Sequence, residues 1–145
     1  MSVYIKLILS TFLILGLQAC SKEEEQVNPN YEKKITVKVF YCTQEKPNDQ
    51  KPDAGSKVYI YYDLYTIDFR NSTYQGNGKF IEKSSVIEPE QNYLVNLDGT
   101  IDIVPIYSDR KISVIVESNY YKGRLASSSY MKFDESIVCT NIFHP

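Results

Sequence analysis

Apolar and polar residues alternate with a period of two through most of this chain, and that rhythm narrows its fold more than any other feature. In Ile35-Thr36-Val37-Lys38-Val39-Phe40-Tyr41, the residues Ile35, Val37, Val39 and Tyr41 share one side. This is the pattern of a half-buried strand, whose successive side chains point to opposite faces. Lys57 to Tyr65 repeats it, with Val58, Ile60, Tyr62 and Leu64 on one face and Tyr59, Tyr61, Asp63 and Tyr65 on the other. Lys111 to Glu117 aims Ile112, Val114 and Val116 one way, and Ser136 to Phe143 reads as the last strand. Asn92 to Leu97 and Thr100 to Ile106 flank Asp98-Gly99, a dipeptide suited to a type I′ turn, which predicts two adjacent antiparallel strands. Pro105 cannot donate to a ladder and calls for an edge or a bulge. Ser118 to Met131 is polar and irregular, either a long functional loop or an edge strand. Nothing past residue 33 has the 3.6-residue period of a long amphipathic helix.

The first 19 residues follow another logic. Lys6 precedes an apolar run from Leu7 to Leu17, interrupted by Ser10 and Thr11, and small residues close it. That is the build of a secretory leader, and it falls short of the roughly 20 apolar residues a membrane span needs. Leu17-Gln18-Ala19-Cys20 resembles the lipobox of bacterial lipoproteins. The resemblance implies that 1–19 is a cleaved signal peptide and that Cys20 is acylated, the start of the mature chain and its membrane anchor. Two or more acyl chains anchor a protein stably where one does so only marginally. Residues 20–33 then form a flexible acidic tether. Its 13 or so residues place the domain roughly 20 Å from the anchor, at about 5 to 6 Å times √n. Ser21-Lys22-Glu23-Glu24-Glu25 resembles the sequences of lipoproteins sent to the outer membrane, which avoid aspartate after the cysteine. It also resembles the Lys-plus-acidic tag of cell-surface lipoproteins in one Gram-negative phylum; the competing reading is a solvated charged linker.

Without leader and tether, about 110 residues remain, the size of a single domain over 34–145. The net charge is −2, and one unit more negative once Lys6 is removed, a balance that offers nucleic acid no basic patch. Of three cysteines, one goes to lipid, leaving Cys42 and Cys139. In an oxidising compartment such a pair predicts a disulfide, worth up to roughly 4.7 kcal/mol for a loop of nearly 100 residues. The rival is two buried free thiols. The only histidine, His144, stands near the end of the sequence, so neither a metal centre nor a cofactor site is expected.

Three segments resemble transthyretin-like and carboxypeptidase-regulatory-like domains. Pro52-Asp53-Ala54-Gly55-Ser56-Lys57-Val58 is similar to their loop into the second strand. Thr73-Tyr74-Gln75-Gly76-Asn77-Gly78-Lys79-Phe80 is similar to their Thr-Asp-x-x-Gly-x-Phe turn, with Tyr74 in place of aspartate. Pro89-Glu90-Gln91-Asn92-Tyr93-Leu94-Val95 is similar to their Pro-Gly-x-Tyr-x-Val segment, without the glycine. The likeness spans residues 35–97, with a longer stretch from Tyr62 to Asn71, and it implies structural or binding modules with no shared catalytic site. Seven or eight short strands with frequent turns predict an all-β domain. The expected plan is a single antiparallel β-sandwich, transthyretin-like or immunoglobulin-like, with a closed barrel as competitor.

Tyrosine is abundant, 13 residues against no tryptophan. An outward row of Tyr59, Tyr61 and Tyr65 is expected to bind a carbohydrate or protein partner; the alternative puts these rings in a second core face. Catalytic readings are poorly supported. No base stands near a nucleophile in the sequence, and Asp63 with Asp68, or Asp98 with Asp102, read as surface charges rather than a hydrolytic pair. The expectation is therefore a lipid-anchored, cell-surface-exposed outer-membrane protein, with a non-catalytic binding or adhesion domain. The alternative is a periplasm-facing structural lipoprotein of an envelope assembly or secretion machine, and a small hydrolase comes third.

Overall fold

The computed structural model describes residues 34–131 and 137–145; the expected leader, Cys20 and the expected tether lie outside them. Eleven strands run through the described residues: β1 (Ile35–Thr43), β2 (Lys46–Pro52), β3 (Lys57–Tyr62), β4 (Thr73–Gly76), β5 (Lys79–Glu82), β6 (Ser85–Ile87), β7 (Gln91–Leu94), β8 (Thr100–Ile103), β9 (Ile112–Glu117), β10 (Leu125–Tyr130) and β11 (Ile137–Phe143). A 3₁₀ turn, Thr66–Phe69, lies between β3 and β4. The all-β class and the sandwich are as expected, but the strands outnumber the seven or eight read from the sequence and form three sheets.

The hub of the first sheet is β1. Along one edge it pairs with β11 in parallel, from Ile35↔Ile137 to Tyr41↔Phe143. Its other edge is shared, antiparallel to β8 over Ile35 to Lys38 and to β2 over Phe40 to Thr43. Between these partners sits Gly99, whose carbonyl accepts from Val39 N at 2.8 Å. A Cβ on Gly99 would lie 2.9 Å from Val39 O, so only glycine brings the turn this close. The second sheet runs β10-β9-β3-β7, all antiparallel. Ile35, Val37 and Val39 of the first sheet interlock with Val58, Ile60, Ile112, Val114 and Val116 of the second, all fully buried. Each such aliphatic side chain contributes roughly 1.5–3 kcal/mol on burial.

The third sheet, β4-β5-β6, lies on the opposite side of the second. Consequently β3 and β9 are buried on both faces and read as almost unbroken buried runs, a habit more usual in parallel sheets with both sides covered.

Two expectations about turns are corrected. Asp98-Gly99 does not join a hairpin: β7 belongs to the second sheet and β8 to the first, and the turn Asn96–Gly99 carries the chain between layers. Gly99 has φ 82° but Asp98 is not positive, so a type I′ turn is ruled out. The Asp98 carboxylate instead accepts from Thr100 N and Oγ1, both at 2.9 Å, and these bonds hold its pKa below the usual range. The type I′ pair is Asn77-Gly78, with φ 52° and 75°, between β4 and β5. Pro105 falls beyond the end of β8 and breaks no ladder. The irregular stretch Ser118 to Met131 contains β10, an edge strand of the second sheet.

The Cys42–Cys139 disulfide is also corrected, since both thiols are free and buried. The first and last strands are neighbours, as expected, but they are parallel and Cys139 is level with Val37. Cys42 is five residues further along β1, roughly 16 Å at about 3.3 Å per residue. A disulfide spans Cα atoms no more than about 7 Å apart.

Candidate functional site

The outer face of the second sheet is built from alternate residues of its strands. The register puts Lys57 level with Glu117 and Leu94, Tyr59 with Ile115 and Asn92, and Tyr61 with Ser113. The expected exposed row of Tyr59, Tyr61 and Tyr65 is not found. Tyr59 is 3 % exposed and Tyr61 fully buried, because Phe69, Tyr74, Phe80 and Ile87 of the 3₁₀ turn and third sheet cover them. Tyr65 leaves the row altogether. The strand ends at Tyr62, Asp63 takes φ 58°, and Tyr65 caps the 3₁₀ turn with its hydroxyl on Met131 Sδ at 2.9 Å. Alternation identified a second face, and the layer covering that face came from a segment with weak strand patterning.

The cover is specific. Tyr61 meets Phe69 edge-on at 4.9 Å and Phe80 at 6.2 Å, and its hydroxyl donates to Gly78 O. A Cβ on Gly78 would lie 2.6 Å from Tyr59 Cδ1 and 2.9 Å from Pro89 Cγ, so the hairpin tip rests on the Tyr59 ring only because residue 78 has no side chain. Tyr59 and Tyr74 both donate to Glu117 Oε2 at 2.8 Å, and Gly78 N donates to Tyr74 Oη at 3.2 Å. Burial first, then the Glu117 carboxylate, pushes the Tyr59 phenol well above its ordinary range. Burial does the same for Tyr61 and, against an opposing bond from Gly78 N, for Tyr74. All three phenols therefore stay protonated and act as donors near neutral pH.

Where the cover ends, a cleft of about 460 Å³ opens, lined by Lys57, Tyr59, Asn77, Asn92, Tyr93 and Leu94. Lys57 Nζ donates to Asn77 Oδ1 at 2.8 Å, tying β3 to the hairpin tip. Asn92 stands beside Tyr59 in register and is exposed, and Leu94 is 62 % exposed. The volume lies in the range of small-molecule sites. Two amides, each donor and acceptor, an ammonium and an aromatic edge suit a ligand dense in hydroxyls.

The other candidates disperse. Asp63 pairs with Arg110 at 2.5 Å and Asp102 with Lys34 at 2.7 Å. Asp68 accepts from Tyr65 N at 2.7 Å, so these carboxylates serve local structure. Among the described residues no three His, Cys, Asp or Glu side chains converge on a possible metal position. His144, isolated in sequence, is beside a thiol: its Nδ1 lies 3.0 Å from Cys42 Sγ. Only the pairing of β1 with β11 reveals that neighbour. Compared with known proteins, the chain matches no family model, no curated protein and no solved structure.

Proposed function

We propose that this chain is a lipid-anchored cell-envelope protein, held in the outer membrane through Cys20 and exposed at the cell surface. Its domain is a non-catalytic binding module that takes a carbohydrate segment into the cleft at Lys57, Asn77 and Asn92. The observation that carries the binding reading is the cleft itself, a concave floor against a clamped tyrosine with three polar side chains at its rim. The anchor rests on Leu17-Gln18-Ala19-Cys20, and the likeness of residues 35–97 to transthyretin-like domains, which share no catalytic site, supports a binding module.

The binding test is a glycan array probed with the mature protein. Recognition of a subset of oligosaccharides is expected, weakened about tenfold or more, roughly 1.4 kcal/mol, by Asn92→Ala or Lys57→Ala. Because Asn92 is exposed, the unfolding midpoint of Asn92→Ala should stay put. Binding indifferent to both substitutions would remove the cleft from the account. Cys20→Ala should abolish palmitate labelling and membrane retention, and protease treatment of intact cells should release the wild-type domain; resistance to shaving would favour the periplasm-facing alternative.

A further inference from the structure

The register that separates the two cysteines brings another pair together. Tyr41 is level with Phe143, so one step further along Cys42 meets His144, the one histidine of the chain. A β-bulge between Tyr41 and Thr43 re-aims this end of β1. Thr36, Lys38 and Phe40 are partly exposed, yet Cys42 is 1 % exposed. Besides His144 Nδ1 at 3.0 Å, its sulfur has Phe143 O at 3.7 Å.

The surroundings hold both partners in place. Tyr121 Oη donates to Cys42 O at 2.7 Å, and Arg124 Nη1 donates to His144 O at 2.5 Å. The Arg124 guanidinium stands 5.5 Å from the Tyr121 ring centre. Tyr120 stacks on Tyr41 at 3.8 Å, and its backbone N donates to the buried Asp53 at 2.9 Å. Beside the pair a hollow of about 350 Å³ is lined by Thr43, Gln44, Glu45, Tyr120, Tyr121 and Pro145. Thr43 and Pro145 are the chain neighbours of Cys42 and His144. Cys139 offers the contrast. It sits in the main core, takes a bond from Asn141 Nδ2 at 3.3 Å, reaches Ser128 Oγ at 3.6 Å, and is not within bonding distance of the histidine.

The geometry points to Cys42 as a thiol–disulfide exchange site, with His144 as its base and a small, low-molecular-weight disulfide in the adjoining hollow as its reactant. The Sγ proton passes to His144 Nδ1, with the ring's own proton on Nε2, and the thiolate attacks one sulfur of the disulfide. That S–S bond breaks as the new one to Cys42 forms. The departing thiolate takes the proton from the imidazolium and leaves as a thiol, so one disulfide is consumed, one mixed disulfide is made, and no other oxidant is required. Such disulfides are the reactants an oxidising compartment supplies. Charged and titratable groups around the pair include Arg124, Tyr121, Tyr120, Tyr41 and Glu45.

The test uses the mature chain with Cys20→Ser, so that Cys42 and Cys139 are the only thiols, and oxidised glutathione as the probe. Digestion and mass spectrometry of native protein should find the adduct on Cys42 ahead of Cys139, which is as buried but has no histidine beside it. At neutral pH His144→Gln should lower the rate about tenfold or more and make it rise more steeply with pH. His144→Asn, a second neutral variant, should shift it the same way. A Cys42 no faster than Cys139, or a pH profile unmoved by either variant, would overturn the proposal.

Discussion

The two faces of the second sheet use the same strands for different ends. The inner face meets the first sheet with Val58, Ile60, Ile112, Val114 and Val116, fully buried aliphatic residues without a polar atom in their side chains. The outer face meets the small third sheet with Tyr59, Tyr61, Ser113, Ile115 and Glu117, and every phenol there donates to an acceptor. Aliphatic packing is non-directional and seals completely. Aromatic packing with hydroxyls needs partners at fixed places, so the cover is a hairpin tip set on a ring, and a cleft remains at its edge.

Breaking the inner face should cost most. Ile60→Ala removes a fully buried side chain where two sheets are least able to collapse, and a loss of about 3–4 kcal/mol is expected in urea unfolding. If this loss were no larger than those on the outer face, the contrast between the faces would fail.

Gly78→Ala tests the cover. The new methyl would collide with the Tyr59 ring and Pro89, and φ 75° disfavours alanine there, so a loss of about 1–3 kcal/mol is expected. The hairpin should lift from the sheet, and near-ultraviolet circular dichroism of the tyrosines should weaken while the far-ultraviolet strand signal persists. Loss of both signals together would make the third sheet inseparable from the main core.

The smallest effect comes from Tyr61→Phe, which leaves Gly78 O without its donor and should cost about 1–2 kcal/mol at neutral pH. Its pH dependence sharpens the point. Burial raises the folded pKa of Tyr61, and likewise those of Tyr59 and Tyr74, above the unfolded value near 10. Their contribution is therefore fully present below pH 10 and is lost as the pH climbs from there towards the folded values. Wild-type stability should fall above pH 10, and Tyr61→Phe should fall less steeply; identical slopes would mean that this phenol does not ionise with unfolding.

Much of the fold could be read from residue patterns. β1, β3, β9 and β11 carry enough apolar alternation to be found from the sequence, β9 and β11 to within a residue, β1 two residues short and β3 three residues too long, and the Asn77-Gly78 dipeptide carries the signal of the type I′ hairpin that Asp98-Gly99 does not form. β2, with the sequence Lys46-Pro47-Asn48-Asp49-Gln50-Lys51-Pro52, is exposed throughout. No apolar pattern announces such a strand; it forms as the hairpin return of β1, and its lysines and prolines suit an unpaired edge. The cleft was half legible. Tyr59 stood out by alternation, while Lys57, Asn77 and Asn92 are ordinary surface residues until two segments meet.

Local chemistry by itself determined the class of the fold, the inner faces of its main strands and the presence of a second, tyrosine-bearing face, because side-chain alternation is a property of the strand alone. Tertiary structure decided what covers that face, which strands share a sheet, and that β1 and β11 run parallel. That last choice sets Cys139 against Val37 and Cys42 beside His144. The physical reason is that strand register is a relation between distant segments: shifting it by one residue exchanges every inward side chain for an outward one, and the energy that forbids the shift lies in the packing of the layers.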